Sequence, residues 1–145
     1  MPRSGEAIHF FKDGVKFSLP QQASVRLWLT RVATSKKKKI SNLNYIFVSD
    51  AVLFKMNKQF LAHETLTDII TFPGETSGSK ISGEIYVSID RVKDNAKVFK
   101  QSFRTELARV MAHGLLHLCG FNDKSVKQQK EMRSQEEKAL DLRTR

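Results

Sequence analysis

Two histidines four residues apart, His113 and His117, lie in an apolar stretch that ends three residues later at Gly120. Positions four apart on a helix share one face, so a helix here aims both imidazoles at one point. Gly120 can take the left-handed conformation that stops a helix, and the reversal after it can swing Asp123 back toward the histidines. His113, His117 and Asp123 are therefore expected to bind one metal ion. Three protein ligands leave a fourth position open, the pattern of a catalytic rather than a structural zinc site. Paired histidines also arise by chance on amphipathic helices, and the glycine and the carboxylate are what set this stretch apart. The zinc peptidase pattern His-Glu-x-x-His needs a glutamate beside its first histidine as general base. Gly114 stands there, which argues against such a peptidase.

The rest of the chain reads as a scaffold for this stretch. Ile8 to Phe11 suits a first strand ended by Asp13-Gly14, and Pro20 suits the first turn of a helix. Val25, Trp28, Leu29 and Val32 mark the buried face of that helix, which runs to about Thr34. Leu43 to Ser49 is apolar on both faces and reads as an inner strand. Ser49 or Asp50 can cap the next helix, with Val52, Leu53, Met56 and Phe60 inward and an end near Ala62. His63 to Leu66 reads as a connecting loop. Thr67 to Pro73 reads as a strand stopped by proline, and Gly74 to Ser79 as a loop. Ile81, Gly83, Ile85, Val87 and Ile89 alternate with polar residues and Tyr86, the pattern of a strand with one buried face.

Asp90 can cap a helix carrying Val92, Ala96 and Phe99, and Ser102 can cap the histidine helix, whose apolar stripe includes Leu107, Val110 and Met111. A last helix, Ser125 to about Leu140, is mostly charged and is expected on the surface. Strands and helices are intermixed without strict alternation. The expected fold is α+β: a single domain over 1–145 with a mixed sheet of about four strands and about five helices, the metal site at a helix end.

The 25 Lys+Arg against 15 Asp+Glu give a net charge of +10, which favours a polyanionic partner, nucleic acid before membrane. Residues 1–50 contribute nine basic and three acidic side chains, with Lys36, Lys37, Lys38 and Lys39 consecutive. That run is either a solvated loop or a direct contact to phosphates. The single cysteine, Cys119, precludes an internal disulfide and fits a reducing cytosol; it should point off the ligand face as a small buried hydrophobe. No signal peptide or membrane span is expected, since charged residues interrupt Met1 to Phe17 and no apolar run is long enough.

Three stretches carry a resemblance. Thr67-Asp68-Ile69-Ile70-Thr71-Phe72-Pro73, Gly83-Glu84-Ile85-Tyr86-Val87-Ser88 and His113-Gly114-Leu115-Leu116-His117-Leu118-Cys119-Gly120-Phe121 occur in the order and approximate spacing of the YbeY family. The chain resembles that family along most of its length. The resemblance implies a metal-dependent, usually zinc-binding endoribonuclease of single-stranded RNA that matures ribosomal RNA, notably the 3′ end of the small-subunit 16S RNA. Two positions depart from the family pattern. Asp123 stands where the third ligand is usually histidine, and Leu61 follows Asn57-Lys58-Gln59-Phe60 where the family usually has an arginine implicated in activity. His63 is a candidate replacement for that arginine or an ordinary loop histidine.

The expected function is hydrolysis of an RNA phosphodiester in the cytoplasm, with one zinc ion on His113, His117 and Asp123 polarising a phosphoryl oxygen or activating water. The expected partners are single-stranded RNA, ribosomal RNA and the small ribosomal subunit. Asp68 is a candidate general base, as is a group of the RNA itself; Asp68 could equally be a structural cap. Two alternatives stand beside this reading: a hydrolase of another substrate, and a non-enzymatic ribosome-assembly factor with a structural metal.

Overall fold

The computed structural model describes residues 7–61 and 67–144. The expectations for the side chains of Phe60 and Leu61 and for segment 63–66 with His63 lie outside the described residues.

Among the described residues the sheet has four strands: β1 (Ile8–Lys12), β2 (Lys39–Val48), β3 (Ile69–Pro73) and β4 (Lys80–Ser88), in the order β1-β2-β4-β3. β1, β2 and β4 are parallel, and β3 pairs antiparallel with β4, so the sheet is mixed as expected. β2 begins four residues before its apolar run. Lys39 and Ile40 pair with Lys80 and Ile81, and the register shifts between Ile40 and Asn42, so ladder pairing rather than burial extends the strand through polar residues. Pro73 ends β3 as its missing donor requires.

Among the described residues five helices accompany this sheet: α1 (Gln22–Ser35), α2 (Asp50–Leu61), α3 (Ile89–Val98), α4 (Phe103–Leu118) and α5 (Val126–Asp141), followed by a short 3₁₀ turn. The period-two pattern sends alternate residues to opposite faces. Leu43, Tyr45 and Phe47 of β2 and Ile81, Ile85 and Val87 of β4 form the main core with Trp28, Leu29 and Val32 of α1 and the apolar stripe of α4. On the other face Val48, Ile70 and Leu53 of α2 make a smaller cluster. The wholly buried Tyr45 donates its hydroxyl to the Met111 carbonyl at 2.8 Å, tying the central strand to α4.

Four expectations need correction. Pro20 lies outside the first turn of α1, which starts at Gln22 after Gln21 in the left-handed region, with no side-chain cap. Asp90 does not cap α3. The last residue of β4, Ser88, accepts from the Arg91 amide, because strand passes into helix with no loop between them. Asp90 instead accepts from the Asp50 amide at 2.9 Å and so joins Ser49 in capping α2. Phe99 ends α3 exposed, not buried.

The largest correction concerns α5. Its polar composition predicts a surface helix, yet Met132, Gln135, Glu136 and Ala139 are buried, a stripe at helical spacing. Hydrogen bonds dock it: Trp28 Nε1 donates to the Ala139 carbonyl at 2.8 Å, and Lys36 donates to the Gln135 side chain.

Candidate metal centre

Helix α4 crosses the sheet face with Gly114 at the closest approach. A Cβ there would lie 2.8 Å from Ile69 Cδ1 and 2.9 Å from two carbons of Ile85. The position next to His113 therefore faces the sheet, where a glutamate of the peptidase type has no room. One turn on, Leu118 packs over Gly83, where a Cβ would meet its methyls at 3.1 Å.

Ser102 caps the start of α4 as expected, accepting from the Thr105 amide at 3.0 Å. Its end is a left-handed glycine turn. Gly120 has φ +106°, its amide donates to the His117 carbonyl at 3.0 Å, and the Phe121 amide donates to the Leu116 carbonyl at 3.0 Å. These two bonds satisfy carbonyls that a helix end leaves open. The chain then folds back, and Asp123 arrives beside the histidines.

His113 Nε2 and His117 Nε2 lie 3.0 Å apart, and Asp123 Oδ2 is 3.2 Å from the first and 3.3 Å from the second. A tetrahedral zinc ion with bonds of about 2.0–2.1 Å spaces its ligand atoms by about 3.3–3.4 Å. The triangle of two imidazole nitrogens and one carboxylate oxygen thus has the size and donor chemistry to hold one ion. Among the described residues this is the His/Cys/Asp/Glu group that could hold a metal. Cys119 is not part of it; its half-buried side chain packs against the main core, and burial pushes its thiol up to about 11.

Behind His113 runs a chain of charges. His113 Nδ1 is 2.5 Å from Glu136 Oε2, and the other Glu136 oxygen accepts from Arg109 Nη1 at 2.9 Å. Arg109 also grips Glu106 bidentately, at 3.0 and 2.5 Å, and Glu106 is only 1% exposed. Burial favours the neutral form of Glu136, but hydrogen bonds from His113 and Arg109 outweigh it and hold the carboxyl below its usual range. Burial would likewise lower His113, yet the bond to Glu136 and the charges of Glu136, Asp123 and Asp68 raise it. Arg109 is raised, first by its bonds to Glu106.

Asp68, just before β3, lies 4.0 Å from Arg109 and accepts from Asn95 Nδ2 at 3.3 Å. Burial raises its carboxyl above the usual range, against the pull of Arg109 and His113. The lysine run occupies the C-terminal turn of α1: Lys37 has φ +60°, and the amides of Lys36, Lys37 and Lys38 bond back to Ala33 and Thr34. Lys39 opens β2, so the run is a helix end as well as a surface. Lys36 Nζ lies 5.5 Å from the centre of the Phe121 ring, which places the start of the run against the turn that delivers Asp123.

The site residues that sequence reasoning missed are Glu136, Arg109 and Glu106. Glu136 had one available signal, its place on the Met132–Ala139 stripe. Arg109 precedes His113 by one helical turn, with Glu106 a further turn back.

The sequence matches the family described as Endoribonuclease YbeY over residues 11–143. This chain belongs to the YbeY family. It is 49% identical to the Endoribonuclease YbeY of Cytophaga hutchinsonii over 95% of this chain and 96% of that protein. The enzyme of the same name from Flavobacterium johnsoniae is 47% identical over 90% of this chain and 93% of its own length. A solution structure of a Thermotoga maritima protein is similar, with a TM-score of 0.64 and 27% identity, covering 94% of this chain and 88% of that one. The match spans the histidine stretch and Asp123, which lies within 3.3 Å of both histidines. Among the described residues no helix is long and apolar enough to cross a membrane.

Proposed function

We propose that this chain is a zinc-dependent endoribonuclease of single-stranded RNA that acts in the cytoplasm on ribosomal RNA, at the 3′ end of the small-subunit 16S RNA. The observation that carries the reading is the triangle of His113, His117 and Asp123, with sides of 3.0, 3.2 and 3.3 Å. Family membership supports RNA as the substrate. A zinc ion in that triangle would polarise a phosphoryl oxygen and make a water more acidic.

The chain's own residues do the rest. His113 and His117 present nitrogens from one helix face, and the Gly120 turn holds Asp123 against them. The net charge of +10 draws the phosphate backbone in, and Lys37, Lys38 and Lys39, which follow Lys36 in the chain, offer ammonium groups to it. Asp68, a carboxyl of raised proton affinity next to Arg109, is assigned as the general base. Gly114 packed against the sheet speaks against a peptidase of the His-Glu-x-x-His type.

The test compares metal-stripped and zinc-restored protein on a single-stranded RNA and on casein. Cleavage of RNA alone, dependent on zinc, is the expected result. RNA cleavage that survives a chelator, or none at any metal content, overturns the reading, and the second outcome favours a ribosome-assembly role with a structural metal. Asp68→Asn should lower kcat about 10²–10⁴-fold; an unchanged kcat removes Asp68 as the base.

A further inference from the structure

We propose that Glu136 is a positioning residue of the candidate centre, fixing the His113 ring with Nδ1 protonated so that its Nε2 lone pair faces His117 and Asp123. The inference rests on reading that triad as a metal centre. At 2.5 Å from a carboxylate oxygen, His113 Nδ1 must carry a proton, since a bare lone pair there would face another. A neutral ring with its proton on Nδ1 is unprotonated at Nε2. That nitrogen is the one within 3.2 Å of Asp123 and 3.0 Å of His117.

The carboxylate is itself held from both sides. Its second oxygen accepts from Arg109 Nη1 at 2.9 Å, and Arg109 is anchored by the fork to Glu106 on its own helix. Helix α5 is seated by the bond from Trp28 to the Ala139 carbonyl, three residues along, so the core rather than a loop places Glu136. Glu106, Glu136 and, at 4.0 Å, Asp68 share one guanidinium, so carboxylates outnumber cations behind His113. Such an excess favours a cation on the far side of the ring. Carboxylates that hold ligand histidines in this way typically contribute 10–100-fold to metal affinity.

The telling variant is Glu136→Gln. Arg109 can donate only to the amide oxygen, so the amide NH₂ turns toward His113 Nδ1 and selects the opposite tautomer. Nitrogen-15 NMR of histidine-labelled, metal-free full-length protein, recorded at a pH high enough for the His113 ring to be neutral, reads the tautomer, and competition with a chromogenic chelator reads zinc affinity. The expected result is an Nδ1-protonated His113 in the wild type, its loss in Glu136→Gln, and zinc affinity about 10–100-fold weaker. Glu136→Asp, which keeps the charge, should recover part of that loss. An Nε2-protonated His113 in the wild type, or a Gln variant with unchanged tautomer and affinity, overturns the proposal while leaving the centre intact. If Glu136→Gln fails to fold, the wild-type tautomer decides alone. Wild-type protein that takes up no zinc, and only that outcome, overturns the centre and the proposal together.

Discussion

Gly114 approaches Ile85 so closely that a Cβ on the glycine would sit 2.9 Å from two of the isoleucine's carbons. This contact sets how deeply the histidine helix lies on the sheet. Gly114→Ala gains about 1 kcal/mol of helix propensity but incurs about 1–3 kcal/mol of overpacking, so a net loss of about 1 kcal/mol is expected in urea denaturation. Gly114→Glu buries a carboxylate against the sheet and should cost several kcal/mol. A Gly114→Glu protein as stable as the wild type would contradict this placement.

His117→Ala removes one corner of the triangle and leaves the buried stripe of α4 untouched. Zinc affinity should fall roughly a hundredfold or more with little change in the thermal midpoint. Asp123→His keeps a ligand at the third corner and should retain zinc. Metal content of the purified variants, with circular dichroism as the fold control, checks both expectations.

Acid sensitivity should be traceable to Asp50. Ser88 donates to one of its oxygens at 2.6 Å and Arg91 to the other at 2.8 Å. Burial works against the charge, but these bonds outweigh it and hold the carboxyl below its ordinary value of 3.8. A lowered folded-state pKa gives stability that is complete above the unfolded value and lost as pH falls through the folded one. Asp50→Asn should therefore cost about 1 kcal/mol at pH 7, and the gap to the wild type should narrow as pH falls below about 3.8. Denaturation at pH 7 and pH 3 measures the gap; one that has not narrowed at pH 3 would refute the assignment.

RNA binding should depend on the lysine turn. Lys36 is committed to Gln135 and the Phe121 ring, so the informative variant replaces Lys37, Lys38 and Lys39 with glutamine. Removing one lysine–phosphate interaction flattens the plot of log affinity against log salt by about 0.7 on single strands. A slope reduced by up to about 2, with zinc content unchanged, is expected. An identical slope would mean that these lysines face solvent only.

The parts of the site that are legible in the sequence are those formed by neighbours. His113, His117 and Gly120 follow from helical spacing and one backbone preference, and Asp123 follows from the turn. Glu136 is legible only as part of the Met132–Ala139 stripe and not as a partner of His113, because it reaches that ring only once a largely polar helix has docked through Trp28 and Lys36. The sheet reads well where burial alternates, as at Ile81 to Val87. It reads poorly where pairing alone holds the chain, as at Lys39 to Asn42. Ser88 in place of Asp90 is a similar case: two cap-forming residues stand two apart, and only the point at which β4 turns into α3 selects between them.

The glycine turn at Gly120 keeps all three triad residues within segment 113–123. So short a span needs little loop-closing entropy, and unfolded chains in general retain fluctuating local helix. Unfolded molecules should thus also capture zinc, weakly, through the same side chains. Binding to the unfolded state offsets ligand-driven stabilisation. The rise in melting temperature on adding zinc should therefore fall short of what the native dissociation constant alone implies, and the shortfall measures how much of this centre exists before the protein folds.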